Sequence, residues 1–198
     1  MHNKNCHKIL KLKNIIMCLF AACMVAASQS MAEPVKMNDP ENTLYLELKS
    51  GRVVIKMFPD VAPGHVAHIK KLVREGFYDG ITFHRVISGF MAQTGDPKGD
   101  GTGGSGQNID AEFSDLKHER GTVSMARRGD DIHSADSQFF IVYRDQPSLD
   151  GQYSIWGQVT SGIHLVDRIK KGSESRGGRV FRNPDVIVSM KVAADVSE

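Results

Sequence analysis

From Thr43 onward the apolar residues fall in short runs with a period of two, and this pattern restricts the chain to a mainly β fold. Leu44, Leu46 and Leu48 alternate with Tyr45, Glu47 and Lys49, the pattern of a strand with one face buried. Ser50-Gly51 supplies a turn, and Val53-Val54-Ile55-Lys56-Met57-Phe58 follows as the partner strand of a hairpin. Further β-type runs occupy 81–86, 90–94, 122–126, 138–143, 153–159 and 185–192, most of them separated by Gly- and Asp-rich stretches. Two segments carry helical spacing instead. Val66, Ile69 and Val73 share one helical face, with Gly76 placed to stop the helix, and Ile163, Val166 and Ile169 do the same within 163–171. Roughly eight short strands and two helices predict a closed eight-stranded antiparallel β-barrel capped by two α-helices. No internal repeat or interior linker follows Thr43, so 43–195 is expected to be one domain.

The first 32 residues have a different character. Lys4, Lys8, Lys11 and Lys13 precede a 13-residue apolar run, 15–27, which suits a signal-peptide core. That run is short for a membrane span of about 20 residues. Ser30-Met31-Ala32 places small residues at −3 and −1 of a cleavage site. The expectation is a signal peptide over 1–32, export to the periplasm, a polar tether over 33–42 and no integral membrane span after cleavage. A short membrane anchor and a lipoprotein lipidated at Cys23, after Ala21-Ala22, are the alternatives. All three cysteines (Cys6, Cys18, Cys23) lie in this leader, so the mature core must hold by packing alone, without disulfides, a cysteine nucleophile or a thiolate metal site. Removing the four leader lysines from 25 Lys+Arg leaves 21 against 23 Asp+Glu, a net charge of about −2. The mature chain therefore offers no electrostatic reason to bind nucleic acid or an anionic membrane. A monomer is the expected state. His65 and His68 fall within one helical turn, but no third ligand is near, and solvated helix histidines are expected rather than a metal site.

The run Phe83-His84-Arg85-Val86-Ile87-Ser88-Gly89-Phe90-Met91-Ala92-Gln93-Thr94-Gly95-Asp96 resembles the signature of the cyclophilin family. Ser137-Gln138-Phe139-Phe140-Ile141, then Leu149-Asp150-Gly151 and Trp156-Gly157, match further family blocks in order. Gly76-Phe77-Tyr78-Asp79-Gly80 resembles the shorter-looped bacterial members. The resemblance spans about Thr43 to Val192. It implies the capped barrel, an active site on the barrel's outer face, and peptidyl-prolyl cis–trans isomerisation of proline-containing polypeptides. By residue matching it implies Arg85 as the catalytic arginine. Phe90, Met91, Phe140 and Leu149 become walls of a proline pocket. Gln93 and Gln138 become the polar residues that fix the peptide backbone, and Ala126 and Arg127 border the groove for residues before the proline. Taken singly, Phe90, Met91 and Phe140 read as core, Arg85 as an ion-pair partner and His84 as structural; the combined match assigns the first four to the site.

These residue types suit the chemistry. The amide barrier of about 18–20 kcal/mol arises from resonance that must be lost during rotation. As it is lost, the prolyl nitrogen pyramidalises and gains a usable lone pair, which a permanently charged guanidinium can stabilise without proton transfer. An apolar pocket grips the pyrrolidine ring, and Gln93 can hold the substrate carbonyl. No nucleophile, metal or cofactor is required. Raising a spontaneous rate near 0.01 per second to about 1000 per second needs roughly 7 kcal/mol. The rival expectation is a binding module, a chaperone that captures proline segments with little turnover; it would need the pocket but not the Arg85 charge.

Some positions depart from the family pattern. Tyr153 stands where well-studied members often have histidine, and remains a candidate substrate contact. Ser148 occupies the position of tryptophan in cyclosporin-sensitive members, so cyclosporin binding is expected to be weak. The glycine-rich run 99–106 lacks the Lys-Ser/Thr ending of a phosphate loop and is expected to be a mobile loop beside the site.

Overall fold

The computed structural model describes residues 39–196, so the expected signal peptide and most of the tether lie outside the described residues. Alternation along the strands sorts the side chains onto two faces. In β1 (Thr43–Leu48) Leu44, Leu46 and Leu48 are buried, and in the antiparallel β2 (Gly51–Met57) Val53, Ile55 and Met57 join them. The other strands are β3 (Arg85–Ile87), β4 (Met91–Thr94), β5 (Thr122–Met125), β6 (Phe139–Val142), β7 (Ile155–Ser161) and β8 (Ser189–Val192). They form one antiparallel sheet in the order β3-β4-β6-β5-β7-β2-β1-β8, curled around a core that includes Phe83, Met125, Phe139, Ile141 and Trp156. The architecture is the expected eight-stranded barrel with two helices. Its seam is looser than a continuous ladder: among the described residues the segments preceding β3 and β8 meet at a Thr82–Val186 bridge, with backbone bonds from Gly80 N to Ile187 O, Ile187 N to Ile81 O and Phe83 N to Asp185 O. The runs 81–86 and 185–192 therefore supply shorter strands than their composition predicts, because their first residues pair only through an isolated bridge.

Helix α1 (Pro63–Arg74) begins with Pro63, whose missing N–H costs nothing at this position. Its next two N–H groups, those of Gly64 and His65, donate to the Glu112 carboxylate at 2.9 and 3.0 Å, which also places an anion at the positive end of the helix. It ends in a Schellman motif: Gly76, at φ +71°, donates from its N–H to Val73 O, and Phe77 N donates to Leu72 O. α1 packs against β8, and α2 (Ile163–Val166) packs against β2. The second helix is shorter than the expected 163–171, because after Val166 the chain closes i→i+3 bonds, from Arg168 N to Leu165 O and from Ile169 N to Val166 O.

Two other expectations change. His65 and His68 are buried, not solvated, because α1 is covered on a wide face by the loop carrying Ser105 and Glu112. His65 Nδ1 lies 2.6 Å from Glu112 Oε2, and His68 Nε2 lies 3.3 Å from Ser105 Oγ. The last tether residues also belong to the folded unit. Pro40–Asn42 form a 3-10 turn capped by Asp39, and Glu41 pairs with both Lys70 and Arg74 of α1. Among the described residues no helix is long and apolar enough to cross a membrane, and no cluster of three His, Cys, Asp or Glu could hold a metal ion.

Candidate active site

The period of two that fills the barrel also builds its outer face. On β4 and β6, Ala92, Phe139 and Ile141 point into the main core, while Met91, Phe140 and Val142 form a second apolar cluster outside it with Leu149. Phe90, Ala126 and Tyr153 pack against this outer cluster. Strand register aligns the polar members. Arg85 on β3 faces Gln93 on β4, which faces Phe140 on β6, and the next row runs Ile87, Met91, Val142. One cross-strand row thus carries a cation, an amide and an aromatic ring side by side. Leu149 closes the pocket from a 3-10 turn, Pro147–Leu149, in which Ser148 is exposed.

The resulting groove has a volume of about 510 Å³, and its lining includes Arg85, Phe90, Met91, Gln93, Ala126, Arg127, Phe140, Leu149 and Tyr153. Nine of the ten residues singled out from sequence therefore meet at one cavity. The tenth, Gln138, stands behind Gln93 and lines the adjoining depression of about 690 Å³. A hydrogen-bond chain connects them. Arg85 Nη1 donates to Gln93 Oε1 at 3.0 Å, Gln93 Nε2 donates to Gln138 Oε1 at 2.9 Å, and Gln138 Nε2 donates to Gly103 O at 2.8 Å. Arg85 Nε donates to Gly177 O at 3.0 Å. A guanidinium has five N–H donors, so two are engaged and three remain without a protein acceptor among the described residues. Half-burial pushes the Arg85 pKa below its ordinary value, but an arginine starts so high that it stays charged at physiological pH.

Supporting contacts fix the apolar wall. The buried His118 stacks on Phe140 with centroids 6.3 Å apart and lies edge-on to Tyr153. Its Nδ1 lies 3.1 Å from Asp150 Oδ1 and its Nε2 lies 3.0 Å from Ser124 Oγ. Burial lowers the His118 pKa, opposed by the Asp150 carboxylate, so the ring favours its neutral form. Tyr153 meets Phe140 edge-on at 5.5 Å, and the Arg127 guanidinium lies 4.9 Å over the Tyr153 ring. Gly95 sits at φ +86° where β4 leaves the site; a Cβ there would lie 2.9 Å from Gln138 Cα and deep within contact of Ser137 O.

The glycine-rich loop is not the free segment that its composition suggests. Asp96 accepts from the N–H groups of Lys98 and Asp100 at 2.8 and 3.0 Å and from Gly101 N. Asp136 accepts from Ser105 N and Gly106 N, both at 2.9 Å, and from Ser105 Oγ. Six further residues line the groove, His84, Asp100, Gly101, Arg176, Gly177 and Arg179, and of these the sequence pointed only to the 99–106 loop as lying beside the site. His84 is buried at the groove, and burial lowers its pKa, opposed by the nearby Asp96 carboxylate and the Thr82 backbone. Asp100, Arg176 and Arg179 complete the wall from two loops. The run Arg176-Gly177-Gly178-Arg179 carried no periodic signal that could tie it to a site so far upstream.

The barrel's outer face thus carries an apolar pocket with a partly engaged guanidinium and a carboxamide in the same row, residue types that suit rotation of a prolyl amide. Comparison with known proteins agrees. The family model described as cyclophilin type peptidyl-prolyl cis-trans isomerase/CLD matches residues 43–192. A probable peptidyl-prolyl cis-trans isomerase of Brucella suis is 51% identical over 189 residues, covering 89% of this chain and 95% of that protein. Peptidyl-prolyl cis-trans isomerase B of Bacillus subtilis is 45% identical over 141 residues, covering 70% of this chain and 97% of that protein. Among solved structures, a cyclophilin from Hirschia baltica superposes with a TM-score of 0.70 at 30% identity, covering 80% of this chain and 76% of that one. A cyclophilin-type isomerase of Cryptosporidium parvum, crystallised in the presence of the dipeptide Ala-Pro, superposes with a TM-score of 0.68 at 28% identity, covering 76% and 98%. The chain belongs to the cyclophilin-type peptidyl-prolyl cis–trans isomerases, and its activity is rotation about X–Pro peptide bonds.

Proposed function

We propose that the proline ring of a substrate enters among Phe90, Met91, Phe140 and Leu149, and that Arg85 and Gln93 act on the amide beside it. The observation that carries this reading is the set of three unengaged Arg85 N–H groups in the same groove as that apolar cluster. Rotation removes resonance, so charge localises on the prolyl nitrogen as it pyramidalises. A fixed guanidinium donating there stabilises the twisted amide more than the planar one, which is the difference that accelerates a reaction. Gln93 donates one Nε2 N–H to Gln138 Oε1, and the second N–H is available to the substrate carbonyl. That contact restrains one end of the bond while the other turns. His84 transfers no proton in this scheme, because isomerisation needs none. The retained charge favours turnover over capture alone, since a pure binding module has no use for a cation with three spare N–H donors at the amide. Ala126 and Arg127 border the groove for residues before the proline, with Tyr153 beneath the Arg127 guanidinium.

The basic start, the apolar run 15–27 and Ser30-Met31-Ala32 support export, with clients among exported polypeptides in the periplasm. Methyl NMR of the protein during titration with an Ala-Pro-containing peptide tests the pocket assignment. Shifts at the Met91 and Leu149 methyls are expected; shifts confined to other regions would contradict it. Mass determination of the mature N-terminus tests the leader. A start at Glu33 is expected, and a lipidated start at Cys23 would overturn it.

A further inference from the structure

The far end of the groove is strongly cationic. Between 168 and 182 the sequence holds Arg168, Lys170, Lys171, Arg176, Arg179 and Arg182 against the single acid Glu174. Arg176, Arg179 and Arg182 are exposed and form no close ion pair among the described residues, although Arg179 lies near enough to Asp100 to help lower its pKa. Two of them, Arg176 and Arg179, line the same cavity as Arg85. Their loop is held firmly. Arg179 bridges Arg85 on the edge of β3, Val86 N donates to Gly178 O at 2.7 Å, and Gly172 N donates to Val86 O at 2.9 Å. Gly178, at φ +84°, allows this approach, because a Cβ would run into Ile87. Phe181, 52% exposed, offers its ring as a shelf, with the Arg176 and Arg179 guanidiniums 4.7 and 5.6 Å from its centroid. Arg85 itself donates to Gly177 O, so the loop adjoins the group that acts on the amide.

We propose that Arg176 and Arg179 make this enzyme selective for polypeptides with Asp or Glu in the first three positions after the proline. The proposal rests on the reading of the groove given above: residues before the proline lie toward Ala126 and Arg127, so the chain leaves past Arg85 toward Arg176 and Arg179. An extended peptide advances about 3.3 Å per residue, so one to three residues carry it onto this wall. There a carboxylate meets two guanidiniums whose planar forks suit it. The only acid in the wall, Asp100, has its Oδ1 held by Thr102 N at 2.8 Å and Thr102 Oγ at 2.7 Å, and its charge offsets Arg179 only in part, one carboxylate standing against two guanidiniums. Four arginines against one carboxylate leave the groove with excess positive charge, although the mature chain as a whole is slightly acidic.

Protease-free NMR exchange assays on matched peptides, differing only in Glu, Gln or Lys at the second position after proline, read this directly. For the natural protein kcat/KM is expected to be about 3- to 10-fold higher for Glu than for Gln at low salt, carried by KM, and to converge toward unity near ~0.5 M salt. The Arg176→Gln/Arg179→Gln variant is expected to lose that ratio. Normal turnover of the Gln peptide with no Glu preference would overturn the proposal and leave the isomerase reading intact. A preference that survives in the double variant would also overturn it. Loss of turnover on all three peptides with the natural protein would instead remove the underlying reading of the groove.

Discussion

Replacing Gly95 by alanine tests whether the spacing of β4 and β6 holds the site together. An added Cβ would lie 2.9 Å from Gln138 Cα and deep within contact of Ser137 O. Backbone cannot yield as a flexible side chain does, so the two strands must separate. Two buried hydrogen bonds resist this: Ser137 Oγ donates to Gly95 O at 2.7 Å, and Tyr78 Oη donates to Ser137 O at 2.9 Å. Alanine at φ +86° adds about 1–2 kcal/mol of backbone strain. Weakening the two buried bonds adds about 1–3 kcal/mol. The sum, about 2–5 kcal/mol, corresponds to a fall in Tm of about 4–20 °C for a chain of this size. Gln138 moves with β6 and carries Gln93 through their 2.9 Å bond, so kcat/KM measured well below Tm is expected to fall by about tenfold. Gly129→Ala is the control, because its Cβ would meet nothing within 4 Å. Calorimetry and the exchange assay on both variants decide the matter. A Gly95→Ala protein with Tm within about 2 °C of the natural one would refute the argument from close approach.

Two further outcomes are expected. Ser148 is exposed on the turn that delivers Leu149, so Ser148→Trp is expected to tighten cyclosporin binding by about 30- to 1000-fold, as for an aromatic hot spot, with turnover retained; equal inhibition constants would contradict this. Burial lowers the pKa values of His68, His84 and His118, so below the ordinary histidine value of about 6.5 the unfolded chain takes up protons that the folded chain refuses. Stability is therefore expected to be complete above that pH and to decline as pH falls through the lowered folded values; a urea midpoint higher at about pH 5.5 than at pH 7.5 would contradict it.

The parts of this molecule that were legible in the sequence are those governed by local periodicity. Alternation on β1 and β2 shows directly which leucines and valines face the core, and alternation within Met91-Ala92-Gln93-Thr94 separates outward from inward side chains without knowledge of the partner strand. The motif then gathered nine residues that the structure brings to one cavity. What was not legible depends on contacts between distant segments. His65 reads as a surface histidine until Glu112, 47 residues later, covers it. The glycine-rich run reads as mobile until Asp136 takes the N–H groups of Ser105 and Gly106. Arg176 and Arg179 look like ordinary surface cations, because nothing local indicates that their loop docks on the edge of β3. The second helix was overestimated because a spacing of three fits both an α-helix and the i→i+3 turns that follow Val166.

The central claim is that the Arg85 guanidinium acts on the twisted amide rather than on the bound peptide, and measuring binding and turnover separately in Arg85→Ala and Arg85→Lys tests it most directly. Peptide affinity comes from calorimetric titration and turnover from NMR exchange. In Arg85→Ala, kcat is expected to fall by about 100- to 1000-fold, as when a donor to a developing charge is removed, while peptide affinity changes by less than about threefold. Arg85→Lys should recover little, because one ammonium cannot hold Gly177 O and Gln93 Oε1 and still face the substrate in the same geometry. Near-normal kcat in Arg85→Ala, or a loss expressed wholly as weaker binding, would contradict the account.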